Sequence, residues 1–195
     1  MQWLYDINVL GTDKYEWVEP FKDQWIEGYA VIIRSAAEKY DIPPELLAGV
    51  LHIEVGGEPF IFDDIAYILR SFRIMPDRDK DTTSFGNASV QVRTAAVALG
   101  YDYDKLTGQQ RKDIINTLND PVQSVFVAAL YLSQLKYHDY PFIDGKDLTD
   151  EQIAIIANRY NQGTRKALEE MEPNYIILLK LDKIRKLISD KIGRK

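Results

Sequence analysis

The chain has 195 residues, 46% of them apolar and 11% aromatic, which is enough for one packed core, so a single domain over residues 1–195 is expected. A net charge of −6 excludes a generic nucleic-acid binder, which needs a basic footprint to displace phosphate counterions. The absence of cysteine excludes disulfides, a thiol nucleophile and a thiolate metal site.

Most of the chain reads as helix, because apolar residues recur at three- and four-residue spacing and few runs alternate. The expected class is mainly α (α+β). Residues 21–40 place Phe21, Trp25, Ile32, Ile33, Ala36 and Tyr40 on one helical face. Asp41-Ile42-Pro43-Pro44 breaks that helix and starts a second, which runs to about Val55 and stops at Gly56-Gly57. A third helical segment over 64–75 ends at Pro76, before a charged loop from Asp77 to Thr83.

Ser84 to Ala96 then sets short polar residues at 84, 87, 89 and 91 between larger or apolar ones. That is the pattern of a strand or hairpin with one polar face, able to hydrogen-bond a sugar or simply to be solvated. Asn119-Asp120-Pro121 caps a long helix carrying Val122, Val125, Phe126, Ala129, Leu132 and Leu135. Thr149 and Gln152 form a capping-box pattern before Ile153, Ile156, Ala157 and Tyr160, and Gly163 is a candidate left-handed cap. Residues 174–195 form a basic amphipathic terminal helix with Ile177, Leu181, Ile184 and Ile188 in a stripe, suited to docking or to surface binding. This stretch carries seven Lys or Arg against two Asp, a net of +5, which leaves −11 on residues 1–173.

One carboxylate breaks the pattern. On the second helix the inward stripe is Leu47, Val50, Leu51 and then Glu54, so an acid lies on the apolar face and in the last turn. Desolvation and the negative end of the helix dipole both disfavour its ionised form and would raise its pKa, the property a glycosidase general acid needs. The alternative is that the stripe simply emerges into water at Glu54. His52 lies two residues away and faces elsewhere, so a His–Glu dyad is not expected; His52 and His138 are read as ordinary. Asp77, Asp79 and Asp81 open like a calcium loop, but Thr82 stands where Gly is needed and Ala88 where the bidentate Glu belongs, so no metal and no cofactor is expected.

Taken in order, three pieces resemble the lysozyme-like superfamily of soluble lytic transglycosylases and goose-type lysozymes. Pro44-Glu45-Leu46-Leu47-Ala48-Gly49-Val50-Leu51-His52-Ile53-Glu54-Val55 is similar to that family's catalytic helix, with Val55 where a Ser is usual. Ser84-Phe85-Gly86 and Tyr160-Asn161-Gln162-Gly163 are similar to its later Ser-x-Gly-x-x-Gln and Ala-Tyr-Asn-x-Gly motifs. The resemblance covers about residues 41–164. Ser89 stands at the usual Gln position with Gln91 two residues later, on the same side if both lie in a strand. Arg159 replaces the usual Ala.

The resemblance implies a lysozyme-like helical domain with a small β-hairpin. It also implies cleavage of the β-1,4 bond between N-acetylmuramic acid and N-acetylglucosamine in peptidoglycan, by lytic transglycosylation or by hydrolysis. Glu54 would be the catalytic acid, with Ser84, Ser89, Gln91, Tyr160 and Asn161 binding substrate. A hydrolytic enzyme would add a second carboxylate, for which Asp81, Asp79 and Asp64 are the candidates, with Asp63 and Asp77 nearby. The competing expectations are an inert glycan-binding or structural module of a secretion or phage machine, and a chitinase- or chitosanase-like enzyme.

No run approaches the roughly 20 apolar residues that span a bilayer, and the first basic residue is Lys14. Neither a transmembrane segment nor a Sec leader is therefore expected. A cell-wall enzyme of this kind would be made in the cytoplasm and act in the periplasm or outside the cell after non-Sec delivery, as an antibacterial effector or phage-associated lysin. Its partners would be peptidoglycan glycan strands and an immunity or inhibitor protein covering the cleft.

Overall fold

Capping residues set the helix boundaries. The computed structural model describes residues 18–55, 84–85 and 88–189. Its helices are α1 (Val18–Lys39), α2 (Pro44–Glu54), α3 (Val92–Ala98), α4 (Gly108–Asn119), α5 (Pro121–Asp139), α6 (Asp150–Gln162) and α7 (Tyr175–Ile188). Pro44 occupies the first turn of α2, where a missing N–H costs nothing. The Asp120 side chain accepts from the backbone N–H of Val122 and Gln123 to start α5. Capping boxes formed by Thr107 with Gln110 and by Thr149 with Gln152 start α4 and α6. Between α2 and α3, strands β1 (Ser84–Phe85) and β2 (Val90–Gln91) pair antiparallel, Ser84 opposite Gln91 and Phe85 opposite Val90. The described residues are thus mainly helical, with one small hairpin among them.

Helix α2 lies at the centre. Every residue from Leu46 to His52 is buried, so the stripe read from the sequence is too narrow: a helix apolar on all sides belongs inside. Helices α1, α5, α6 and α7 all pack against it. On α1 the core face runs through Ile26, Ala30, Ile33 and Ala37, while Phe21 is 46% exposed and Trp25, Ile32 and Tyr40 are half-buried. The expected α1 face is therefore rotated toward the larger side chains. Val122 likewise is exposed, because it sits in the first turn of α5, beyond the core.

The terminal helix is docked, with Ile177, Leu181, Ile184 and Ile188 all buried. Its basic residues meet acids of the body: Lys180 and Lys183 contact Glu19, Lys183 also contacts Asp23, and Arg185 bridges Glu45 and Asp150. The basic residues of α7 and the acids of α1, α2 and α6 that they meet are complementary sides of one interface.

The third helical segment over 64–75, the loop 77–83, Gly56-Gly57 and the carboxylates Asp63, Asp64, Asp77, Asp79 and Asp81 lie outside the described residues. Among the described residues, no helix is long and apolar enough to cross a membrane.

Candidate active site

Three elements converge on Glu54: the end of α2, the turn of the hairpin and the end of α6. The Ser89 hydroxyl and the Asn161 amide donate hydrogen bonds to the Glu54 carboxyl. Ser89 reaches it from a left-handed turn conformation, φ 49°, immediately before β2. The strand covers only Val90–Gln91, so the expectation that Ser89 and Gln91 share one strand face does not hold. Gln91 is exposed and extended and stands as the N-cap residue of α3. Ser84 is placed by its backbone, opposite Gln91 in the hairpin.

Tyr160 plays a different part from the one its motif implies. It is buried, its ring tilts against Tyr131 with centroids 5.5 Å apart, and its hydroxyl donates to the Ala88 carbonyl at 2.7 Å. A ring enclosed in this way offers no open face for a sugar. Instead Tyr160 is a strut that joins α6 to the hairpin one residue before Ser89. Asn161, next along α6, is exposed and turned to Glu54.

The end of α6 is held by Arg159, which stands where the resemblance would place Ala. Arg159 and Asp139 are 0% and 1% exposed and pair through two bonds, Nε to Oδ2 at 2.8 Å and Nη2 to Oδ1 at 3.0 Å. The remaining guanidinium nitrogen donates to the carbonyls of Gly163 and Lys166, at 3.2 and 2.8 Å. One arginine thus satisfies the free carbonyls of the turn after α6. Gly163 has positive φ, 68°, but its ψ of −161° takes it out of the left-handed helical region that the sequence suggests, into one essentially restricted to glycine.

Electrostatically, Glu54 is a carboxyl with opposed influences. Burial raises its pKa; the hydrogen bonds from Ser89 and Asn161 and the charge of Lys22 lower it; the balance lies above the ordinary value. Lys22 comes from α1 and donates to the Ile53 carbonyl at 2.9 Å. Neither Lys22 nor the Arg159–Asp139 pair is signalled by the sequence, since each acts across a fold contact between distant positions.

No protein-family model, curated protein or solved structure matches the chain.

His52 faces away from Glu54. It is buried among α1 residues, with Nε2 at 2.9 Å from Asp23 Oδ1 and 3.9 Å from Glu19 Oε2. Glu19, Asp23 and His52 have donor atoms within 4.8 Å of one another, the geometry of a metal-binding triplet. The same carboxylates already meet ammonium groups, however, Lys183 reaching Asp23 at 2.8 Å and Lys180 reaching Glu19 at 2.8 Å. Cations of the chain itself neutralise them. His138 lies beside Asp139, Nδ1 to Oδ1 at 2.8 Å, on the rim of the Arg159 pair.

Chemically, a desolvated carboxyl held by two neutral donors can give up a proton and then be stabilised as the carboxylate. That is the requirement for general acid catalysis, and for the same group to act afterwards as a base.

Proposed function

We propose that this protein is a peptidoglycan-cleaving glycosidase in which Glu54 protonates the leaving oxygen of the bond between N-acetylmuramic acid and N-acetylglucosamine. The observation that carries the reading is the convergence on one desolvated carboxyl of Ser89 and Asn161, from two separate motifs of the resemblance. Breaking a glycosidic bond needs a proton on the leaving group and stabilisation of an oxocarbenium-like transition state. Glu54 supplies the first and, once ionised, contributes to the second.

Two carboxylates are needed for hydrolysis, whereas a single residue serves transglycosylation: Glu54 gives its proton to the leaving oxygen and then takes one from the sugar's own 6-hydroxyl as the anhydro ring closes. The glycan strand is the proposed substrate, and a protein inhibitor would act by covering Glu54 and Asn161. Periplasmic or extracellular action belongs to the same proposal.

The test is digestion of purified sacculi by the full chain, with mass analysis of the fragments. Anhydromuramyl ends are expected, and Glu54→Gln should abolish them. Reducing ends would replace transglycosylation by hydrolysis, while intact sacculi, or undiminished cleavage by Glu54→Gln, would reject the assignment. Cleavage of chitin oligomers in preference to sacculi would move the substrate to another β-1,4 amino sugar.

A further inference from the structure

Helix α1 lies outside the stretch that resembles known cell-wall enzymes, yet it delivers a cation to the catalytic end of α2. The last carbonyls of any helix lack intrahelical partners and carry partial negative charge. At the end of α2 that negative end coincides with Glu54, so two unfavourable features meet where a carboxylate must form. The half-buried Lys22 reaches across from α1 and places its ammonium 2.9 Å from the Ile53 carbonyl oxygen. We propose that Lys22 is a positioning residue for Glu54, fixing the last turn of α2 through Ile53 and supplying the cation that stabilises the Glu54 carboxylate once its proton has gone.

The inference rests on Glu54 being the proton donor of the reading above. The hydrogen bond of Lys22 goes to α2 and not to Glu19, one turn earlier on α1, which acts on its charge from the same helix. Glu19 Oε1 is held by Lys180 at 2.8 Å and Oε2 lies 3.3 Å from Lys183, while the hydrogen bond of Lys22 goes to a carbonyl. The charged groups acting on Lys22 are Glu19 on its own helix, Glu54 on α2 and Lys180 on α7. Around Glu54 the described residues place Lys22 from α1, Tyr160 and Asn161 from α6, and Ser89 from the hairpin turn.

The consequence is chemical. A buried acid with no counter-charge holds its proton too tightly to be a good donor, whereas one with a nearby ammonium is tuned toward the working pH. Lys22 therefore adds, beside Ser89 and Asn161, to how strong an acid Glu54 is, a function that its place in the sequence does not announce.

The experiment is a 13C-NMR titration of the Glu54 side chain in the full chain, in Lys22→Met and in Lys22→Arg. Methionine keeps the packing of the stem and removes the charge. The Glu54 midpoint should rise in Lys22→Met by about one pH unit, a roughly ten-fold change in proton affinity, and should return toward the wild-type value in Lys22→Arg. In sacculus digestion the basic limb of the pH–rate profile should move with it. An unmoved midpoint in a folded Lys22→Met overturns the proposal. Should that variant not fold, the reciprocal measurement decides: the Lys22 ammonium, followed by 15N-NMR, should titrate lower in Glu54→Gln than in the wild type, and an unchanged value rejects the coupling. Neither titration uses a glycan, so a moved midpoint beside intact sacculi removes the glycosidase reading and leaves the Lys22–Glu54 coupling standing.

Discussion

Glu54 is a group the fold makes less stable when ionised, and this has a definite sign. Burial raises its pKa above the ordinary 4.5, and the Ser89, Asn161 and Lys22 contributions only partly offset it. The folded chain therefore binds this proton more readily than the unfolded one, and stability from this residue falls as pH rises through and above 4.5. Glu54→Gln should raise the melting temperature at pH 7, by roughly 2–4 °C for each kcal/mol relieved in a chain of this length. The gain should vanish below about pH 4, where the unfolded carboxyl is protonated as well. Calorimetry at pH 7 and pH 3.5 checks both halves, and an equal gain at the two pH values would show that the cause is not ionisation. Ser89→Ala and Asn161→Ala each remove a donor to the carboxylate, worth about 1.5–3 kcal/mol for a charged acceptor, and should lower kcat about ten- to a hundred-fold. Glu54 is legible in the sequence because an acid at the end of an apolar helix is a local anomaly. Choosing between Ser89 and Gln91 is not, because the parity of a strand says nothing once Ser89 sits at φ 49° in a turn. Lys22 is invisible for another reason: it meets α2 from 31 positions away.

At the scale of elements, α6 is where the sequence is most informative about form and least about cause. Its capping box, its length and its glycine stop are all readable from local chemistry, because each is a contact within three or four residues. That Arg159 is the residue holding the turn is not readable, since its partner Asp139 lies on α5, 20 positions earlier. An arginine in the middle of a motif looks like a surface substitution until its guanidinium is seen wholly enclosed. Removing one member of a buried pair leaves the other charge without compensation, which typically costs about 3–5 kcal/mol. Arg159→Met should therefore lower the stability measured by urea unfolding by that amount, and the double variant Arg159→Met with Asp139→Leu should recover much of it. Failure of the second change to recover stability would mean that the carbonyls of Gly163 and Lys166, rather than the ion pair, are what Arg159 serves. Tyr160→Phe should cost about 1 kcal/mol through the lost bond to Ala88, and it should lower activity as well, because Ala88 precedes Ser89 in the turn.

Opposite charges join α1 to α7, and among the described residues Glu19, His52 and Glu54 respond to acid with different signs. Burial alone would raise Glu19, but its hydrogen bonds and charge contacts with Lys180 and Lys183 bring it down to about 2. A carboxyl depressed in this way contributes stability that is fully present above its unfolded value of 4.5 and is lost as pH falls toward about 2. His52 lies 1% exposed, and burial lowers its pKa despite Asp23; its Nδ1 has no hydrogen-bond partner among the described residues, so a second proton would be stranded there. Protonation of the unfolded imidazole, with its ordinary value of 6.5, therefore begins to weaken the fold at higher pH than Glu19 does. Glu54 works against both, gaining relative stability as pH falls. Urea unfolding between pH 7 and pH 2 should accordingly lose stability in two stages, the first starting near 6.5 and the second between 4.5 and 2. Replacing His52 by Gln should remove the first stage and leave the second, and Glu19→Gln should leave the first and shrink the second, to which Asp41 and Asp150, also held below their ordinary value by Lys136 and Arg185, contribute. Because Glu19, Lys180 and Lys183 are all partly open to solvent, added salt should shrink the second stage while hardly altering the first. If the first stage survives in His52→Gln, that stage does not come from the buried imidazole, and the Glu19 contacts with Lys180 and Lys183 are left to be judged by the second stage alone.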